Sequence, residues 1–391
     1  MKILFFSLCV LLLLVTLPTS VFSQPPLKVG TLIPFAGRWG DSGRECAKGI
    51  LDASKWLNQR GGIFGMKLEI FLIEDTSEPA ETVAAFRRLN EADQVLLLYI
   101  YSMGTALNLL PHVHFNRIPT LGSSFTSHLA NPSKYPYIFS INPTSLDLLK
   151  IAIKFTSETS SIKTRKPKAL FVGSSDLLNR YFLDEAKEYA RRMGLDIGPD
   201  IVIPHPSPAA DMAVKNLFSP LSTMNSYNPD FAYLSLPPKE TSYVLREAKE
   251  AGLRNKWICN MKAFDENLGA FEGVLGVQPV SPFGEDVPGM VGIKEAHQKW
   301  HPYDSHTVSY VEGWATVQVI AEALGRSLPE QGFSRERIKL ALESFRDFVV
   351  GGLVPPLTIT LLDHRPSVES RIFIIKDGKL VKHTPFISLG R

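Results

Sequence analysis

The chain reads as an α/β protein made of two doubly wound, Rossmann-like lobes. Its 391 residues exceed one ordinary core and suit two domains of about 150 to 200 residues each. Short apolar runs alternate with stretches of helical period, and the alternation restarts after a proline-punctuated passage, "NPSKYPYIFSINP".

The elements follow in order. Lys28 to Ile33 is a strand, and Ser42 to Gln59 carries Cys46, Ile50, Ala53 and Leu57 at helical spacing. Arg60-Gly61-Gly62 ends that helix, because glycine takes a left-handed cap at least cost. Leu68 to Ile73 is a strand, Pro79 to Asn90 a helix, Val95 to Tyr101 a continuous apolar strand, Thr105 to Phe115 a helix and Ile118 to Leu121 a strand. Strands alternating with helices in this way predict a parallel sheet covered on both faces.

The second series contains strands at Lys168 to Val172, Asp200 to Ile203, Phe231 to Ser235 and Trp257 to Cys259. Helices are expected at Tyr181 to Met193, Met212 to Met224 and Lys239 to Ala251. Beyond it come strands at Val274 to Val280, Pro356 to Leu362 and Ile372 to Ile375, with helices at Val308 to Ala323 and Arg335 to Phe345. These are too few for a third core. They are expected to complete the two lobes, so the chain crosses between them more than once and the crossings form a hinge.

Hydrophobic residues make up 45% of the chain, and 42 basic against 39 acidic side chains leave a net charge of +3. The basic residues are scattered, so no nucleic acid partner is expected. At the start, Lys2 precedes an apolar run from Ile3 to Leu17, followed by Pro18 and small residues through Ser23. This reads as a secretory signal peptide, residues 1–23, too short for the ~20 apolar residues of a spanning helix. Cys9 lies inside the run and is no lipid-attachment residue, so the mature chain is expected free in the periplasm. Cys46 and Cys259 then remain; a bridge is permitted, but two buried thiols are expected.

Ligands of a parallel sheet bind where strands end and helices begin, since unpaired backbone N–H groups converge there. Three such loops in the first half share small, hydroxylic or aromatic residues: "PFAGRWGDSG", "YSMGT" and "LGSSFTS". They nominate Trp39, Tyr101, Ser102, Ser123, Ser124 and Phe125. No GxGxxG follows the first strand, and GxxxxGK[ST], GxSxG and HExxH are all missing, which argues against an enzyme. His112 and His114 stand two apart and would face different sides of a helix, while "WHPYDSH" reads as a surface loop.

The segment "KVGTLIPFAGRWGDSGRECAKGILDASKWLNQRGGIFGMKLEIFLIEDTSEPAETV" resembles the opening of the leucine/isoleucine/valine-binding proteins, the type I periplasmic binding proteins of branched-chain amino acid ABC transporters. "NxxGGIxGxKLE" and "DTSEPAETV" are its most specific parts, and "YVEGWATVQVIAEAL" and "PPLTITLLDHR" look like later parts of the same family. The resemblance implies two lobes joined by a three-strand hinge, residues 27–142 with 281–352 and 143–280 with 353–391. It implies a monomer that closes on a small solute and is recognised by a membrane permease, with no chemistry, no cofactor and no metal.

By the same resemblance, Ser102 and Ser123-Ser124-Phe125 would hold the solute's carboxylate and Trp39 would cover it. The second lobe's tyrosine slot falls near Leu178 or Asn179, with Tyr181 if the register slips, and its ammonium-binding carboxylate falls at Met261. An ammonium shut in without an anion would lose several kcal/mol. Unless Asp265 or Glu266 reaches in, the expected solute is a small carboxylate or amide with a hydrophobic or aromatic body. A sensor subunit serving a receptor, or an exported hydrolase using Ser102 or Ser124 with His128, are the alternatives.

Overall fold

The computed structural model describes residues 25–174, 177–203, 217–327 and 332–390. The expected signal peptide, and the first five residues of the expected Met212 to Met224 helix, lie outside the described residues.

The first sheet is fully parallel, in the order β2 (Leu68–Glu74), β1 (Leu27–Ile33), β3 (Leu97–Ile100), β4 (Thr120–Gly122), β5 (Ile138–Ser140). Side chains alternate across it. Leu97 and Tyr99 join one core with Cys46, Ile50 and Ala53 of α1 (Gly40–Gln59), while Leu98 and Ile100 join another. That second core takes Phe86 from α2 (Pro79–Arg87) and Ala106, Leu109 and Val113 from α3 (Met103–Phe115). Burial on both faces is why these strands read as unbroken apolar runs.

The two most specific motifs turn out to be scaffolding. Asn58 pairs with the backbone of Leu68 in both directions at 2.8 Å, closing the passage from α1 to β2. Between them Gly62 has φ +68°, and a Cβ there would meet the Met66 carbonyl oxygen at 2.0 Å. Asp75 accepts from the Ser77 N–H and the Thr105 hydroxyl, tying the end of β2 to the first turn of α3.

After Ser140 the chain passes through Thr144, which caps α4 (Ser145–Thr159), and enters the second lobe. Its sheet follows the order β13 (Lys379–Lys382), β12 (Glu369–Lys376), β11 (Leu275–Gln278), β10 (Lys256–Cys259), β9 (Phe231–Ser235), β6 (Lys168–Ser174), β7 (Asp196–Ile197). Strands β6, β9, β10 and β11 run parallel, β8 (Ile201–Ile203) pairs parallel with β6, and β12 is antiparallel to β11 with β13 antiparallel beyond it. Helices α5 (Leu177–Arg192), α6 (Phe218–Tyr227) and α7 (Pro238–Glu250) connect the strands.

From β11 the chain returns to the first lobe as α8 (Met290–Trp300), α9 (Val308–Ser327) and α10 (Arg335–Glu343). Helices α9 and α1 cross with almost no separation: a Cβ on Gly49 would meet the Tyr310 carbonyl at 2.0 Å, and one on Gly313 the Cys46 carbonyl at 2.1 Å. The His364 ring stacks on Phe139 at 4.1 Å and lies 2.8 Å from the Ile138 carbonyl oxygen, which packs this part of the chain against the first sheet. Arg371 of β12 then bonds Glu285 and Ser281 of the second passage, both at 2.9 Å, clamping two passages together.

One expected strand is corrected. Pro356 to Leu362 forms only isolated bridges, Phe348 with Leu357 and Thr360 with Asp363, because Pro355 and Pro356 lack N–H donors and the chain turns at Thr360. Among the described residues no helix is long and apolar enough to cross a membrane.

Candidate functional site

The three nominated loops do converge at the ends of β1, β3 and β4, but their side chains divide. Trp39 ends a 3-10 turn, Gly37–Trp39, and packs half-buried on the core. Ser102 precedes α3 with its side chain outside the cap. The Ser123 hydroxyl is fully buried and donates to Glu312 Oε1, and that of Ser124 donates to the Pro143 carbonyl at 2.7 Å. Phe125 is a correction: its ring fills the space beside Gly122 and belongs to the core with Leu98 and Ile100, so it adds no apolar wall to the cleft. Leu178, Asn179 and Tyr181 fall on α5, with side chains outside the described residues.

Two charged residues dominate the place where the lobes meet, and the sequence nominated neither. Glu312, 2% exposed on α9, accepts from Ser123, from Asn142 Nδ2 at 3.2 Å and from Lys262 Nζ at 2.7 Å. Lys262 comes from the opposite lobe, on the turn Met261–Ala263 that follows β10. Burial is the largest influence and lowers its ammonium's affinity for a proton, but the charge and hydrogen bond of Glu312 together with Tyr101 and Cys46 outweigh it and raise the pKa, so the ammonium stays charged. Its Nζ also sits 4.3 Å above the Tyr101 ring. Tyr101 is 6% exposed, its hydroxyl meets no hydrogen-bond partner, and burial pushes its pKa up to about 12.

A signal for Glu312 did exist. It is the single acid in "VSYVEGWATVQVI", a stretch apolar all round, and a carboxylate inside such a helix must have partners. Lys262 stands beside the nominated Met261, whose own side chain is buried and whose carbonyl accepts from Gln278 Nε2 at 3.2 Å.

The two candidate acids are committed elsewhere. Asp265 accepts from the backbone and side chain of Asn267. Glu266 crosses to the first lobe, where its Oε2 accepts from the Val308 N–H at the start of α9 at 2.8 Å while Oε1 is buried without a partner. Burial raises the carboxyl pKa of both, that of Glu266 to about 7.

Lys262, Glu312, Met261, Asp265, Gln278 and Ser42 line a cavity of about 10 Å³, the size of one water. The cleft is therefore closed. Its rim is stitched by Arg38, which grips both oxygens of Glu240 at 2.8 and 3.0 Å, and by Lys239, 2.9 Å from Asp41. A larger groove of about 840 Å³ lies on the outer face of the first lobe between Trp56, Phe64, Val291 and Val349, away from these charges.

The remaining candidates resolve as structure. His301, Asp304 and His306 are held against α1 by Asp52, Lys48 and Glu45. Pro302 to Ser305 are exposed, as expected of a surface loop, while His306 at its end is buried at 4% exposure and stacks on Tyr310. Among the described residues no group of histidine, cysteine and acidic side chains has a metal-holding arrangement. Cys46 and Cys259 are both buried and free, and burial pushes the Cys46 thiol up to about 12.

A sequence comparison with curated proteins returns no significant match. Among solved structures, a branched-chain amino acid ABC transporter protein from Thermus thermophilus with bound valine superposes with a TM-score of 0.82 at 21% identity, covering 94% of this chain and 97% of that one. A fatty acid ABC transporter substrate-binding protein from Thermomonospora curvata gives 0.80 at 20% identity, over 95% and 96%. A solute-binding protein from R. palustris in complex with benzoate gives 0.76 at 16% identity, over 93% and 98%. The likeness to these neighbours extends over both lobes, and the sequence profile described as periplasmic binding protein matches residues 26–379. The chain belongs to the periplasmic binding protein family.

Proposed function

We propose that the chain is the extracytoplasmic solute-binding protein of an ABC importer, closing its lobes on a small carboxylate with an apolar body and presenting the closed form to a membrane permease. The observation that carries this is the Lys262–Glu312 pair, which joins the lobes at the ends of the sheet strands. Groups from both lobes meet there only when the cleft shuts, so a solute bound between them shifts the open–closed equilibrium. The named solutes of the three neighbours, valine, fatty acid and benzoate, share a carboxylate and an apolar body.

The mature chain starts after Ser23, acts as a periplasmic monomer and performs no chemistry on its solute. The hydrolase alternative lacks support, since His128 Nε2 lies 3.1 Å from the Tyr135 hydroxyl and the Ser124 hydroxyl is spent on Pro143. We place the lobe boundaries near 142/143 and 280/281, and the last one after His364. The test is a thermal-shift screen of amino acids, their deaminated acids, aromatic acids and amides, followed by small-angle scattering with each hit. An upward shift confined to one solute class, with no change of lobe opening as the hit is added to the partly open chain, would count against closure as the mechanism. No shift with any solute would remove the binding reading.

A further inference from the structure

We propose that Lys262 and the Tyr101 hydroxyl together form the seat for the solute's carboxylate, and that the Lys262–Glu312 pair selects carboxylates that carry no α-ammonium. This rests on the solute-binding reading above and names the residues that set its specificity.

Ser123 and Ser124, the expected seat, have given their hydroxyl protons to Glu312 and to the Pro143 carbonyl. An anion placed on Ser123 would also face the Glu312 carboxylate. Lys262 offers what they cannot. An ammonium has three donors, and Glu312 Oε2 is the hydrogen-bond acceptor found for it. Two cations at the rim, Arg38 and Lys239, are engaged by Glu240 and Asp41.

Tyr101 supplies the second donor. Its ring lies under the ammonium at 4.3 Å, and its buried hydroxyl has no acceptor. A buried donor left in that state carries a desolvation penalty, which a carboxylate oxygen would relieve. Because burial holds its pKa near 12, the hydroxyl keeps its proton throughout the neutral range.

The same pair excludes a free amino acid. The Glu312 oxygens already take Ser123, Asn142 and Lys262. A solute ammonium would have to displace Lys262 from the one carboxylate that balances it, leaving two cations in a closed cleft. Asp265 and Glu266 do not relieve that conflict, being bonded to Asn267 and Val308. Since the cavity holds about 10 Å³, a solute enters the open form, and closure brings Lys262 onto it from the second lobe.

The experiment is calorimetric titration of the mature chain with matched pairs: 4-methylpentanoate against leucine, and 3-phenylpropanoate against phenylalanine. Wild type should bind the deaminated member of a pair at least tenfold more tightly than the amino acid. Lys262→Met should weaken carboxylate binding about a hundredfold and Tyr101→Phe about tenfold, with melting transitions still cooperative. Because Lys262→Met strands Glu312, the double variant Lys262→Met with Glu312→Gln is measured beside it and should show the same loss. Unchanged carboxylate affinity in both lysine variants would overturn the assignment. A Lys262→Met protein that gains leucine or phenylalanine would support the exclusion, because Glu312 would then be open to a solute ammonium. Amino acids preferred by wild type would overturn the inference but keep the binding reading; no binding across the wider solute screen would overturn both.

Discussion

Glu266 is a carboxyl group forced into a role that its environment makes uncomfortable. Burial is the largest influence and raises its pKa to about 7, although the Val308 N–H favours the charged form. An acid whose pKa is higher in the folded state stabilises the fold fully below its unfolded pKa, and that contribution is lost as pH rises through the folded value. The protein should therefore lose on the order of 2 kcal/mol from this group between about pH 4.5 and 7. Glu266→Gln, which keeps an acceptor for Val308, should flatten that part of the stability profile in denaturant titrations at pH 5 and 7.5; an unchanged slope would assign the pH dependence elsewhere. Glu312 differs, being paired from both lobes. Glu312→Ala should cost about 3 kcal/mol in urea unfolding, because it leaves Lys262 without its counter-charge. At this scale the sequence was only partly readable. The nominated loops lie at the ends of β1, β3 and β4, but Lys262 and Glu312 stand 50 residues apart and meet only through the interlobe geometry. Phe125 was misread because residue type says nothing about which side of a loop a ring leaves from.

Among the elements, α9 matters most, because it carries Glu312 and is pressed against α1 through Gly49 and Gly313. Gly313→Ala puts a methyl group into the Cys46 carbonyl, a backbone atom that cannot rotate away. It should destabilise the fold by about 1–3 kcal/mol and, by displacing the adjacent Glu312, weaken solute binding as well. Gly325→Ala is the internal control, since its Cβ would meet nothing nearer than Phe64 at 4.0 Å. That variant should be neutral or stabilised by up to about 1 kcal/mol. Equal melting temperatures for the two would mean that the close crossing is not what holds α9 in place. Strands buried on both faces announced themselves as apolar runs, as β3 did. Helices α4 and α8 were not foreseen, since each follows a proline-punctuated passage, ending at Pro143 and at Pro288, although neither helix contains a proline. The last passage was also hard to place, because Leu357 and His364 are held by isolated bonds to the backbone of Phe348, Ala130 and Ile138 rather than by a regular ladder.

For the whole molecule, the closed state is held by ionic contacts at two depths: Lys262–Glu312 inside, and Arg38–Glu240 with Lys239–Asp41 at the rim. The rim pairs are partly solvated and screened by salt, so each is worth up to about 1 kcal/mol. Glu240→Gln should enlarge the radius of gyration of the solute-free protein and weaken solute binding about fivefold, 1.4 kcal/mol being tenfold. It should also reduce the dependence of affinity on salt; a variant as compact and as tight as wild type would show that the rim does not contribute to closure. The alternation of strands and helices was enough to foresee two lobes, because that pattern is local. Which lobe each late helix joins is not local, and it emerged only from packing. The two buried free cysteines, finally, bear on how the protein can be used. With both native thiols shut in the core, a maleimide dye would be directed to cysteines introduced at the surface, one per lobe. Two fluorophores so attached would turn the hinge into an optical reporter of its own solute, without removing either native sulfur.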